Sequence, residues 1–319
     1  MLSTGICTLL GTKYPIIQGG MAHIATFELV SAVCNAGGLG IIGAGHYPSD
    51  WVLDQISRTR EKTRRPFGVN IVLTSPHLDG VMDAVIREKV GVVSTGAGDP
   101  SPYLPRFKSA GIIVMPVVAS VTMAQRVEQA GAGIIIAEGM EAGGRIGEYT
   151  TMALVPQVVN AVKVPVVAAG GIADGRGLVA ALSLGAQAVQ MGTRFVCSTE
   201  CVAHAAYKQS IVKSGGATVI TRQSLGYPLR TLPNSLAEQF AALEKEGVPR
   251  EALEAFDRDR MYLGLIDGDL EEGSLIAGQA AGLIRDIKPV EAIIGDIMRQ
   301  AEEVVAMLGR TAQHPNSKL

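Results

Sequence analysis

The sequence predicts an α/β fold: a (β/α)8 barrel of the TIM type, with a smaller, mostly helical cap domain near the C-terminus. Three observations carry that prediction. Eight short apolar runs rich in Val and Ile barely alternate in polarity, as strands buried on both faces do. Helical patterns fall between them, and eight strand–helix repeats close into a barrel more naturally than they stay open. Two of the runs, 164–169 and 188–191, end in the glycine turns Gly170-Gly171 and Gly192-Thr193, with one crossover helix between them. Glycine lets backbone N–H groups come close to a phosphate, and helix starts add positive dipole ends. The loops after strands seven and eight of such a barrel are its usual phosphate site, so a phosphate-bearing ligand at the barrel top is expected.

In chain order, strands are expected at 15–18, 38–43, 66–72, 90–95, 112–118, 133–137, 164–169 and 188–191. Helices are expected at 27–36, 49–60, 78–88, 103–110, 121–130, 152–162 and 178–184. An open doubly wound sheet is the alternative arrangement of the same elements. A long helix over 197–213 follows, and then the pattern changes. Residues 215–231 combine β-type residues with Gly and Pro, 235–246 and 250–261 read as helices, 273–284 as a small-residue helix, and 289–308 as a long amphipathic one. The expected organisation is a barrel over 1–213 completed by the C-terminal helix 286–309, a cap over 214–285 that binds substrate, and a flexible tail at 310–319.

The bulk properties agree. A chain of 319 residues suits one barrel of about 250 residues plus an appendage. With 47% hydrophobic and 18% charged residues it can bury a large core. A net charge of −2 without basic tracts argues against nucleic acid as a partner. Cys7, Cys34, Cys197 and Cys201 form no CxxC pair, and they read as inert buried thiols, with Cys197 and Cys201 on one helix face. No signal core and no unbroken apolar span appear, so a cytoplasmic protein without a membrane partner is expected.

The chemistry should sit where the strands end. Those ends read Gln18-Gly19-Gly20-Met21-Ala22, Gly68-Val69-Asn70, Thr95-Gly96-Ala97-Gly98 and Glu138-Gly139-Met140-Glu141-Ala142-Gly143-Gly144-Arg145, followed by the two phosphate-type turns. Five of the eight ends carry glycine turns, which suits close backbone approach to a flat ring system. With Ala36-Gly37-Gly38-Leu39-Gly40, Pro66-Phe67-Gly68-Val69-Asn70-Ile71, Ala168-Ala169-Gly170-Gly171-Ile172-Ala173-Asp174-Gly175, Gly192-Thr193-Arg194-Phe195 and Gly273-Ser274-Leu275-Ile276-Ala277-Gly278-Gln279, the chain closely resembles the FMN-dependent enoyl-acyl-carrier-protein reductase II family. That family is a branch of the nitronate monooxygenase (2-nitropropane dioxygenase) superfamily. The resemblance runs from about residue 5 to about residue 305.

The resemblance implies noncovalent FMN. Its phosphate would sit on the backbone of Gly170, Gly171, Gly192 and Thr193, with the Thr193 hydroxyl as a further donor. Its ring would lie against Gly19, Gly20 and Met21, with Asn70 at the ring's polar edge and Glu138 at a neighbouring group. A neutral amide can donate to and accept from the flavin without adding charge. The alternative for Asn70 is a strand-end turn residue, and for Glu138 a buried structural carboxylate. The resemblance further implies NADH, or NADPH, as hydride donor, acyl carrier protein bearing the enoyl substrate as partner, and a monovalent cation for which no ligand set is legible. A homodimer is the oligomeric state considered, and no metal site is read.

One departure bears on the reaction. The family carries a histidine after the glycine loop of strand six, assigned a catalytic role, and here that position is Arg145. Histidine exchanges protons near neutral pH; arginine does not. Oxidising a nitroalkane needs a base there, whereas a guanidinium can stabilise the enolate formed when an enoyl thioester accepts hydride, by a few kcal/mol if well aimed and dry. Arg145 is therefore the catalytic candidate. Its alternative is an outward-facing loop arginine, or one paired with Glu141 or Glu148. His23 follows the Met21-Ala22 turn and could reach the mouth; His204 reads as structural. Tyr227 and Arg230 of the cap could meet substrate or lie at the surface. The competing functions are a flavin- and oxygen-dependent nitronate monooxygenase and a flavin-binding barrel with little turnover. An inosinate-dehydrogenase-like barrel is excluded because no cysteine occurs between Cys34 and Cys197 to serve as its nucleophile.

Overall fold

The structure is a computed structural model that describes residues 2–313, with side chains through Arg310. The eight expected strands form a closed parallel barrel: β1 (Ile16–Gln18), β2 (Leu39–Gly43), β3 (Gly68–Val72), β4 (Val92–Gly96), β5 (Ile113–Val118), β6 (Ile135–Glu138), β8 (Val166–Ala169) and β9 (Ala188–Met191). The seam closes where β1 pairs with β9, Ile16 opposite Val189 and Gln18 opposite Met191. A two-residue strand, β7 (Gly144–Arg145), leaves the barrel between β6 and β8.

The Val/Ile runs have no polar face because each strand is covered twice. Outside, they pack under α2 (Phe27–Asn35), α3 (Ser49–Lys62), α4 (Leu78–Arg87), α5 (Leu104–Ser109), α6 (Val121–Gln129), α7 (Thr151–Ala161) and α8 (Gly175–Ser183). Inside, Ile17, Leu39, Ile41, Met115, Ile136 and Val167 form a second apolar core. A short helix that the sequence analysis did not anticipate, α1 (Gly5–Leu10), adds Ile6, Cys7 and Leu10 to that inner core. It is tied to the start of β9, with Thr4 Oγ1 donating to the Gln187 carbonyl at 2.6 Å, so it plugs the N-terminal end of the barrel. Burying a side chain such as Leu10 there contributes about 2 kcal/mol.

Beyond β9 come α9 (Thr193–Val196) and α10 (Ala205–Lys213). The expected continuous helix over 197–213 is not formed, and Cys197 and Cys201 share no helix face. Ser198 Oγ accepts from the Cys201 N–H at 3.3 Å, and Lys208 Nζ donates to the carbonyls of Ser198 and Cys201. Those bonds satisfy the segment's backbone without a helix. The thiols are buried, as expected, and burial pushes Cys34 and Cys197 up to about 12 and Cys201 up to about 11. His204 is structural: its Nδ1 accepts from the Ala206 N–H and caps α10.

The region expected as a mostly helical cap also carries a sheet. β10 (Val219–Thr221) and β11 (Leu229–Thr231) pair antiparallel, and β11 pairs with β7, opposing Leu229 to Arg145. Three helices follow: α11 (Ser235–Lys245), α12 (Arg250–Asp257) and α13 (Arg260–Tyr262). The helix expected at 273–284 is largely extended, with a 3-10 turn only at Gln279–Leu283. Its donors go elsewhere: the Gly278 N–H to Thr193 Oγ1 at 3.0 Å and the Gln279 N–H to the Glu141 carbonyl at 2.9 Å. The last helix, α14 (Val290–Gln313), returns to the barrel wall against α8, where Gln300 Oε1 accepts from the Gly175 N–H at 2.7 Å. It is longer than expected, taking in Arg310 to Gln313 from the segment read as tail; the rest of that tail lies outside the described residues. No helix among the described residues is long and apolar enough to cross a membrane.

Candidate active site at the barrel mouth

Gly19, Gly20, Met21, Gly170, Gly171, Gly192 and Thr193 lie just past the carboxyl ends of β1, β8 and β9, Glu138 ends β6, and Asn70 and Arg145 lie within β3 and β7. Gly19 and Gly20 follow β1 and Asn70 lies in β3, and the two elements touch. A Cβ on Gly20 would sit 2.2 Å from that of Asn70, so only glycine allows this approach. Asn70 Nδ2 donates to Ser94 Oγ at 3.0 Å, while its Oδ1 has no partner among the described residues. Met21 reaches toward β9, and its Sδ is the neighbour that a Cβ on Gly192 would meet, at 3.6 Å.

The turn after β8 is built by its neighbours. Gly170 has φ +94°, and a Cβ there would lie 2.7 Å from the Gly139 carbonyl, so the turn requires glycine. Thr151, at the start of α7, donates from Oγ1 to the Gly170 carbonyl at 2.9 Å. Glu141 accepts from the Thr151 N–H at 2.9 Å and lies against Gly171. Thr193 begins α9, where the first N–H groups have no intrahelical acceptor. Its hydroxyl accepts from the Gly278 N–H and keeps its own proton to donate.

Glu138 ends β6 beside Ala169. Its carboxyl has no hydrogen-bond partner among the described residues, though the residue keeps some accessible surface. Burial alone pushes it up to about 7, so it holds a proton over much of the neutral range. A carboxyl that can donate, an amide with a spare acceptor and a glycine cradle beside a hydroxyl donor are the groups a phosphorylated, hydrogen-bonding ring system requires. The residues present fit FMN on that ground.

Arg145 is on the cap side of the mouth. It is exposed, and its guanidinium carbon lies 4.5 Å from the centroid of the Tyr227 ring. It makes no ion pair among the described residues, so the pairings with Glu141 or Glu148 do not form. Its charge, after burial, helps hold His46 of the β2 loop below the ordinary imidazole range. Arg230 is not a surface residue. It is buried, and its Nε donates to the Met140 carbonyl at 3.0 Å, anchoring the cap sheet to the β6 loop. Local sequence does not disclose the loop-organising roles of Glu141, Thr151 and Arg230, because their partners belong to other elements: Glu141 meets the start of α7, Thr151 the turn after β8, and Arg230 the β6 loop. Nor does it disclose the pairing of His23 with Tyr47. Elsewhere, a cavity of about 340 Å³ beside Lys13, Asn35, Arg65 and Glu291 shares no residue with this mouth.

The closed βα barrel, with glycine turns after β8 and β9 and uncommitted polar groups on β3 and β6, agrees with the family comparison, which places the chain among the flavin-dependent oxidoreductases. More closely, the chain belongs to the nitronate monooxygenase family, whose model matches residues 3–83 and 77–300. Among solved structures it is similar to FabK from Thermotoga maritima, at 48% identity and a TM-score of 0.94, over 97% of this chain and 99% of that one. Among curated proteins it is 34% identical to a probable nitronate monooxygenase of Staphylococcus saprophyticus, over 95% of this chain and 99% of the relative. It is 33% identical, over 94% of this chain and 96% of the relative, to a (3aS,4S,5R,7aS)-5-hydroxy-7a-methyl-1-oxo-octahydro-1H-indene-4-carboxyl-CoA dehydrogenase of Mycobacterium tuberculosis.

Proposed function

We propose that the protein is an FMN-dependent reductase of the 2,3-double bond of enoyl thioesters, using NADH and taking its substrate from acyl carrier protein in fatty-acid synthesis. The observation that carries this reading is the residue type at Arg145: an arginine, which cannot take up a carbon-bound proton, stands where the resembled family has its histidine. The likeness to FabK, an enoyl-ACP reductase II, supports it. FMN, when bound, supplies hydride transfer between nicotinamide and the substrate's β-carbon. Gly170, Gly171, Gly192 and Thr193 would hold its phosphate, Gly19, Gly20 and Met21 its ring, and Asn70 and Glu138 its polar groups. Arg145 would stabilise the negative charge that builds on the thioester oxygen.

The second reading is an FMN- and oxygen-dependent nitronate monooxygenase, favoured by the family model and the Staphylococcus relative. Anaerobic stopped flow separates the two. The reductase reading expects NADH to bleach the flavin and crotonyl thioester to restore its colour. Flavin that NADH leaves oxidised, or that oxygen restores and crotonyl thioester does not, contradicts it.

A further inference from the structure

His23 stands just beyond the strand-end residues Gly19, Gly20 and Met21. It has φ +68°, a left-handed conformation that is uncommon for a residue with a side chain, and such residues cluster at functional sites. The turn aims its ring at the neighbouring loop, where His23 Nδ1 lies 2.9 Å from the Tyr47 hydroxyl. Tyr47 is stacked on Trp51 with centroids 4.2 Å apart, and Tyr262 of the cap stands edge-on to His23 at 5.5 Å. The pair is thus held by both barrel and cap. The pair lies on the loops that follow β1 and β2, which pack on each other where Gly43 meets the Met21 backbone and Gly45 meets Ala22, at the same end of the barrel as the glycine turns. The reductase reading leaves one chemical need unmet, a proton for the substrate's α-carbon, and Arg145 cannot supply it.

We propose that Tyr47 is the proton donor to the α-carbon and that His23 is its positioning residue; this rests on the reductase reading. After hydride reaches the β-carbon, the Tyr47 O–H bond breaks and its proton forms the new α C–H bond. The electron pair left on the phenolate oxygen is stabilised by the Nδ1–H of His23, and solvent water returns a proton to Tyr47. The electrostatics agree. Burial and neighbouring Tyr262 push the Tyr47 phenol up, so it keeps its proton until substrate takes it. Burial, with His46 adding and Asp259 opposing, holds His23 below the ordinary imidazole range, leaving it neutral with one N–H to give.

The test is the oxidative half-reaction with crotonyl thioester in FMN-loaded Tyr47→Phe. Flavin reduction by NADH should match wild type, while reoxidation slows about 100-fold, the lower range for a lost general acid. His23→Gly, which removes the donor without backbone strain, should slow reoxidation less. His23→Asn should restore it, because asparagine tolerates this backbone and its amide nitrogen stands as many bonds from Cα as Nδ1. In the apoprotein, the absorbance titration of tyrosinate, with Tyr47→Phe as reference, should move upward in His23→Gly and back in His23→Asn. Wild-type reoxidation in Tyr47→Phe overturns the donor role alone, and an unmoved titration in His23→Gly overturns the part of His23. A wild type that no enoyl thioester reoxidises overturns the reductase reading and the donor role with it.

Discussion

The two ends of the barrel are made of opposite materials. At the N-terminal end, Ile6 and Leu10 of α1 seal the barrel interior against Ile17, Leu39 and Met115. At the C-terminal end, glycine turns replace side chains, and Asn70, Glu138 and Thr193 keep hydrogen-bonding capacity that the protein does not use. All three residues keep accessible surface, so their unused capacity is open to a ligand at that end. The plugged end carries stability and the open end carries chemistry.

That division can be broken by mutation. The largest effect is expected from Leu10→Ala, which opens a cavity in the plug and should cost about 2–5 kcal/mol in urea unfolding. The FMN affinity of the folded fraction should not change; a parallel fall would mean the two ends are coupled. At the open end, Glu138 should act in the opposite sense. A carboxyl raised in the folded state stabilises fully below its unfolded pKa and loses that contribution as pH rises through the folded value. From about 4.5 to about 7 the apoprotein should lose up to about 3 kcal/mol relative to Glu138→Gln, read as the difference between two pH–stability curves. Curves that stay parallel would show that this carboxyl is not buried.

Smaller effects sharpen the contrast. Thr193→Val removes the acceptor for the Gly278 N–H and the hydroxyl proton left for phosphate, so FMN should bind about tenfold more weakly, measured by fluorescence quenching. Arg145→Ala should slow flavin reoxidation by enoyl thioester only about tenfold, because the guanidinium is exposed and its field is screened. An unchanged rate in the alanine variant removes Arg145 from the mechanism.

The open end was also the more legible in sequence. Glycine turns announce themselves locally, so Gly19, Gly20, Gly170, Gly171, Gly192 and Thr193 could be placed from the residues around them, and the eight strands from their lack of alternation. What could not be read depended on distant partners. Residues 273–284 look helical in isolation but lie extended because Thr193 and Glu141 accept their N–H groups. Arg145 read as a loop residue and proved to be a strand residue, because its pairing partner Leu229 lies far along the chain. Positive φ at His23 is likewise imposed by the fold rather than announced by the residue type.

The central claim is that a mononucleotide's phosphate is gripped at the turns after β8 and β9. Comparing the affinities of the apoprotein for FMN and for riboflavin, which differ only by that phosphate, tests it most directly. Two or more charge-assisted hydrogen bonds predict FMN binding at least about 100-fold tighter. Equal affinities, or no uptake of either, would contradict the claim.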